Sequence, residues 1–369
     1  MNYNHTFSRY VYGRNHAAGR EYGMSNGNSD VVVITGATSG IGRATARKFG
    51  KDGARVGLLA RGEDGLSGAE EDIEDAGGEA LTIQTDVTEY EQVEAAADRV
   101  EDEFGPIDIW INDAMTTVFA EFLDIEPEEY NRVTEVTYLG TANGSRAALS
   151  RMVPRDEGKL VQVGSAMSYR GIPLQSAYSG SKFAIRGMTE SLRTELLHND
   201  SDVDISMVQL PGLNTPQFDH CRGHVDEYPQ PVPPIYQPEI AADAIHWVSY
   251  HRRRELYVGR SSLKTIWGNK IAPWIVDRYL ARTGYSGQFS DLDYDPDRPD
   301  NLFDPVPGDP GAHGPFDKRA IPTSRQLQLA KHRRELGVIG TLLVALFVRL
   351  WVGSEDENDQ HDESAGTSE

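Results

Sequence analysis

The chain has 369 residues and a formal net charge of −21, from 57 Asp and Glu against 36 Lys and Arg, a surface that would repel a phosphate backbone and so excludes nucleic acid as a partner. One cysteine, Cys221, excludes an intrachain disulfide. The acid excess, with 8 lysines beside 28 arginines, points to a halophilic cytoplasm, where molar salt cuts the screening length to about 3 Å and carboxylates no longer repel.

Residues 1–29 are rich in Asn, Gly, Tyr and Arg, lack the apolar run of a signal peptide, and read as a disordered extension. The first strand, Val31 to Ile34, runs into Thr35, Gly36, Gly40 and Gly42 and a helix from about Ile41. Glycines let the backbone turn sharply there and approach a pyrophosphate, whose charge meets N–H groups at the helix N-terminus. Thr38, Ser39 and Ile41 complete the turn, whose spacing is G-x-x-x-G-x-G.

A second strand, Ala54 to Ala60, ends at Arg61. A carboxylate there would bond ribose hydroxyls and favour NAD, whereas an arginine forks onto the 2′-phosphate of NADP, with Arg43 assisting. NADP is therefore the expected cofactor, NAD the alternative, and a plain surface arginine the competing reading of Arg61. Further strands are LTIQT before Asp86, Ile107 to Asn112, Lys159 to Gly164, Val203 to Leu210 and Glu255 to Gly259, with helical patterns between them. This alternation predicts an α/β fold, a doubly wound parallel sheet of Rossmann type in a single domain with extensions at both ends. Ligands of such a sheet bind at the carboxyl ends of the strands, where Gly36, Asn112, Ser165 and Pro211 fall.

Ser165 closes the fifth strand, Tyr178 follows in a helical stretch, and Lys182 stands four residues further on the same face. A phenol titrates near pH ~10, too high for proton transfer at neutrality, and an adjacent ammonium favours its ionised form. Alone, Tyr-x-x-x-Lys is commonly a solvated face.

Together TGATSGIG (Thr35 to Gly42), Asp86-Val87, NDAM (Asn112 to Met115), the Ser165, Tyr178, Lys182 set and PGLNT (Pro211 to Thr215) resemble the short-chain dehydrogenase/reductase family in its shorter form, over roughly Asp30 to Gly259. The resemblance implies hydride transfer between nicotinamide and a carbonyl or alcohol substrate, in a cytoplasmic homo-oligomer. By the same likeness Tyr178 exchanges the hydroxyl proton, Lys182 also bonds the nicotinamide ribose and Ser165 orients the substrate oxygen. Asp86 and Val87 then meet the adenine, Asn112 and Ala114 form the cofactor wall, and Pro211, Gly212 and Thr215 meet the carboxamide end. Two departures stand out. Asp113 and Met115 replace residues of the usual NNAG, and Thr137, in EVTYLGT, takes the place of an Asn that holds a water against the lysine.

A Pro-rich stretch, 213–238, occupies the place of the family's substrate lid, where Phe218, Tyr228, Ile235 and Tyr236 either line a pocket or cover the core. His220, Cys221 and His224 have loosely metal-like spacing, yet a structural zinc wants four ligands, so a polar loop is preferred and no metal is expected. The catalytic domain is thus 30–259. Residues 260–330 form an extension of unread role, with one helix expected from Ser261 to Ala281 and an irregular wrap after it. An apolar helix at 331–353 includes the run 336–352, about 25 Å long at ~1.5 Å per residue, which is expected to anchor the chain to a membrane or to pack between subunits. An acidic disordered tail, 354–369, closes the chain.

Two rival functions remain at this level. Sugar-nucleotide epimerases and dehydratases use TGxxGxxG, for which Gly40 falls one place late; a non-catalytic nucleotide-sensing module needs neither Tyr178 nor Lys182, and both are present. A serine hydrolase is excluded because Ser165 lacks the second glycine of G-x-S-x-G.

Overall fold

The computed structural model describes residues 30–333, with 335 and 341. Seven short apolar runs become one sheet: β1 Val31–Thr35, β2 Arg55–Ala60, β3 Glu79–Gln84, β4 Ile109–Asn112, β5 Lys159–Ser165, β6 Asp204–Leu210 and β7 Glu255–Tyr257. All pairings are parallel, in the order β7-β6-β5-β4-β1-β2-β3. A parallel sheet has helices on both faces, so its strands are apolar on both sides rather than alternating. Val32 and Ile34 therefore enter one core with α1 (Gly40–Lys51), α2 (Glu63–Asp75) and α7 (Pro238–Tyr250). Val31 and Val33 enter the other, which includes residues of α3 (Tyr90–Phe104), α5 (Gly140–Arg155) and α6 (Ser176–His198). Between them in the chain, α4 (Pro127–Thr134) continues into a π-helical turn, Glu135–Leu139, that delivers the chain to α5.

The expected strands and their order along the chain are met. The single helix expected at Ser261 to Ala281 is instead two, α8 Arg260–Ile271 and α9 Pro273–Thr283, because Pro273 cannot continue α8 yet suits the first position of a new helix. The irregular segment after α9 is packed. Phe289 and Ser290 pair antiparallel with Pro229 and Tyr228 of the Pro-rich stretch, and Phe316 joins Phe218, Tyr228 and Ile235 in a buried cluster. Phe218, Tyr228 and Ile235 thus cover a satellite core, and Tyr236 belongs to the core that holds Val32 and Ile34. A further helix, α10 Arg325–Lys331, hydrogen-bonds the edge strand through Gln326 and the Tyr257 carbonyl at 2.9 Å.

The expected membrane anchor is corrected. Among the described residues no helix is long and apolar enough to cross a membrane. Apart from Thr341, the run 336–352 lies outside them, as do 1–29 and 354–369.

Candidate active site

The glycine turn is built as its spacing requires. Gly36 has φ +73°, and a Cβ on Gly42 would come within 2.2 Å of the Gly36 carbonyl, so neither position takes a side chain. Thr35 at the end of β1 accepts from the N–H groups of Asp113 and Ala114 at 3.1 and 3.2 Å, tying the end of β4 to the turn. Ala114 lies against Gly36 and Thr215 against Gly40. The carboxyl ends of β1, β4 and β6 thus form one rim.

Ser165, at the end of β5, and Tyr178 and Lys182, on α6, meet at the same rim. The Ser165 hydroxyl accepts from the Met167 N–H at 3.2 Å and stands near enough to the Tyr178 phenol to favour its ionised form. Lys182 is buried, donates to the Val163 carbonyl at 2.7 Å, and stands 5.5 Å from the centre of the Tyr178 ring. Its charge therefore lies over the ring. Burial pushes the phenol above its ordinary value, the Ser165 hydroxyl pulls it part of the way back, and the Asp113 carboxylate adds to the rise.

Asp113 is the residue that the sequence reading undervalued. Burial raises its carboxyl, which Lys182 and the Gly42 N–H draw back toward the charged form. Burial lowers Lys182, against the attraction of Asp113. Departure from NNAG therefore puts a buried acid between the helix N-terminus and the lysine. Its signal was a carboxylate directly after the apolar strand IDIWIN.

Other expected residues are committed elsewhere. Asn112 accepts from the Trp110 indole at 2.9 Å and donates to Ser145 and Gln162, both at 3.1 Å, so its amide knits β4 to β5 and α5. Thr137, fully buried, donates to the Thr116 carbonyl at 3.0 Å and accepts from the Thr116 N–H at 3.2 Å, which occupies the hydroxyl expected to hold a water. Arg43 is buried, and Asp72 and Asp309 take its guanidinium. Asp86 accepts from Arg132 at 2.6 Å and from the Thr88 N–H and hydroxyl; burial would raise it, but these bonds hold it below the usual carboxylate range. Val87 is buried beside Gly140. Arg61 does face the rim, and its guanidinium donates to the carbonyls of Asn301 and Phe303. Of the metal-like loop, His224 pairs with Glu129 at 2.9 Å and Cys221 is buried.

The residue types fit a dinucleotide: a glycine cradle closed to side chains, N–H groups at the start of a twelve-residue helix with no acid in its first turn, and an arginine at the end of β2. Residues 30–224 match the family model described as short chain dehydrogenase. An uncharacterized oxidoreductase, YxnA, of Bacillus subtilis is 32% identical over 74% of this chain and 78% of its own. The 3-ketodihydrosphingosine reductase of Bos taurus is 35% identical over 51% of this chain, which spans 57% of that protein. Among solved structures, a metagenomic short-chain oxidoreductase in complex with NADP is 27% identical with a TM-score of 0.53, over 63% of this chain and 97% of that one. An alcohol dehydrogenase from the archaeon Thermococcus sibiricus, complexed with 5-hydroxy-NADP, is likewise 27% identical with a TM-score of 0.54, over 63% and 96%.

Proposed function

The chain belongs to the short chain dehydrogenase family, and we propose that it is an NADP-dependent oxidoreductase that reduces a ketone or aldehyde to an alcohol. The observation that carries this reading is the gathering of Ser165, Tyr178 and a buried Lys182, which donates to the Val163 carbonyl and stands over the Tyr178 ring, on the rim of the glycine turn. When bound, the dinucleotide supplies the hydride, and the protein supplies geometry and the proton. Ser165, whose oxygen already accepts from Met167, directs its own O–H to the substrate oxygen. Tyr178 gives its proton to the same oxygen as charge develops there. Burial raises the Tyr178 phenol, so it holds its proton at neutrality until the charge developing on the substrate oxygen draws it off. Lys182, oriented by the Val163 carbonyl, offers its remaining protons to ribose hydroxyls.

Arg61 is the phosphate partner that supports NADP over NAD, alongside the two NADP-type complexes among the structural neighbours. Reductase names among the relatives, including a putative ketoacyl reductase of Streptomyces coelicolor at 31% identity, favour a carbonyl substrate. The test is a panel of carbonyl compounds assayed with NADPH and with NADH. Turnover with NADPH that vanishes in Tyr178→Phe supports the reading, and an inert protein that still binds the dinucleotide would support the sensing module.

A further inference from the structure

The C-terminal extension crosses the rim that carries the glycine turn. Asn301 and Phe303 give their carbonyls to the Arg61 guanidinium, both at 2.6 Å. Leu302 between them is fully buried with Val118, Ile125 and Ala177, and its carbonyl accepts from Arg132 at 3.2 Å. Further along, Gly308 N–H donates to Asp64 at 2.9 Å, and Asp309 takes both terminal nitrogens of Arg43 at 2.9 and 3.2 Å. The Gly311 carbonyl accepts from Gly40 N–H at 3.0 Å, and Gly314 lies against Thr215. An arginine fork and a helix N-terminal N–H are the donors a dinucleotide's phosphates would seek, and here backbone carbonyls hold them.

We propose that residues 301–311 form a strap across the mouth of the dinucleotide cleft, which lifts to admit and release the cofactor and closes again on Arg61, Arg43 and Gly40. This rests on the reading of the cleft as a dinucleotide site. The segment is suited to lifting: Phe303, Asp304, Pro305, Pro307, Gly308 and Asp309 are exposed, so opening breaks few apolar contacts. Buried Leu302 at one end and the Asp309–Arg43 pair near the other are the latches. Arg61 gives one terminal nitrogen to each carbonyl, and a guanidinium has five N–H donors, so a phosphate can pair with the remaining ones beneath the closed strap.

A reversible lock tests the strap on the full chain. A Cβ on Gly62 would lie 3.4 Å from that of Pro305, close to disulfide span, and Gly62 has an extended backbone with φ −88° that cysteine adopts freely. Burial pushes the Cys221 thiol up to about 12, so it does not compete. In Gly62→Cys/Pro305→Cys, NADPH association and release are followed by stopped-flow fluorescence, with the disulfide verified by mass. Reduced protein should match the wild type; oxidation before loading should slow association, and oxidation after loading should slow release, each by about a hundredfold or more, with recovery in dithiothreitol. Asp309→Asn gives a second arm that needs no disulfide: it keeps the side chain's shape but discharges the latch, and should speed exchange severalfold in both directions with the carbonyl KM unchanged. Oxidised protein that exchanges NADPH as fast as reduced, or an Asp309→Asn variant with wild-type exchange, overturns the strap and leaves the dinucleotide reading standing. Wild-type protein that binds no NADPH overturns both.

Discussion

Thr137 closes a two-way bond with Thr116: its hydroxyl donates to the Thr116 carbonyl at 3.0 Å and accepts the Thr116 N–H at 3.2 Å. A fully buried residue so held, in the π-helical turn before α5, has no room for a larger amide. Thr137→Asn should therefore destabilise the fold by about 1–3 kcal/mol rather than complete a proton relay. Chemical denaturation measures this, and a variant as stable as wild type with faster turnover would mean that the turn adapts and that the amide was missing.

Tyr178→Phe removes the one transferable proton and keeps the ring under Lys182. Reduction should fall by about 10²–10⁴, while NADPH affinity stays near wild type. Lys182→Ala should weaken both properties. Binding titrations and single-turnover rates separate the two, and a Phe variant that keeps a tenth or more of the rate, on the order of a ~1.4 kcal/mol effect, removes Tyr178 from the acid role.

Asp113→Asn tests the buried acid through pH. The carboxylate favours the Lys182 ammonium and opposes ionisation of Tyr178, so removing its charge lets both groups lose protons at lower pH. The alkaline fall in kcat/KM for reduction should move to lower pH. An unmoved profile would mean that Asp113 is screened from both groups.

Arg61→Asp should raise the Kd for NADPH by about tenfold or more, ~1.4 kcal/mol, and lower that for NADH, because it exchanges a phosphate partner for a ribose acceptor. Dissociation constants for both cofactors decide it. An unchanged ratio would leave Arg61 with the carbonyls of Asn301 and Phe303 as its only business.

The fold was legible in the sequence because its determinants are local. Seven apolar runs divided by helical periods fix the strands, and a glycine such as Gly36, at φ +73°, is required by its own backbone whatever lies around it. Ser165, Tyr178 and Lys182 were legible for the same reason, since one strand end and one helix face bring them to a common rim. What only the tertiary structure decided is which partner each polar group takes. The Asn112 amide was open to a cofactor until Ser145 and Gln162 claimed it, Arg43 to a phosphate until Asp72 and Asp309 did, and Thr137 to a water until Thr116 did. Each is a competition between groups far apart in the chain, settled by packing, and sequence spacing carries no term for it. The extension shows the limit most plainly: residues 301–311 have neither helical nor strand periodicity, so their place across the glycine turn is set by the arginines and N–H groups they meet there and by the apolar cluster that buries Leu302.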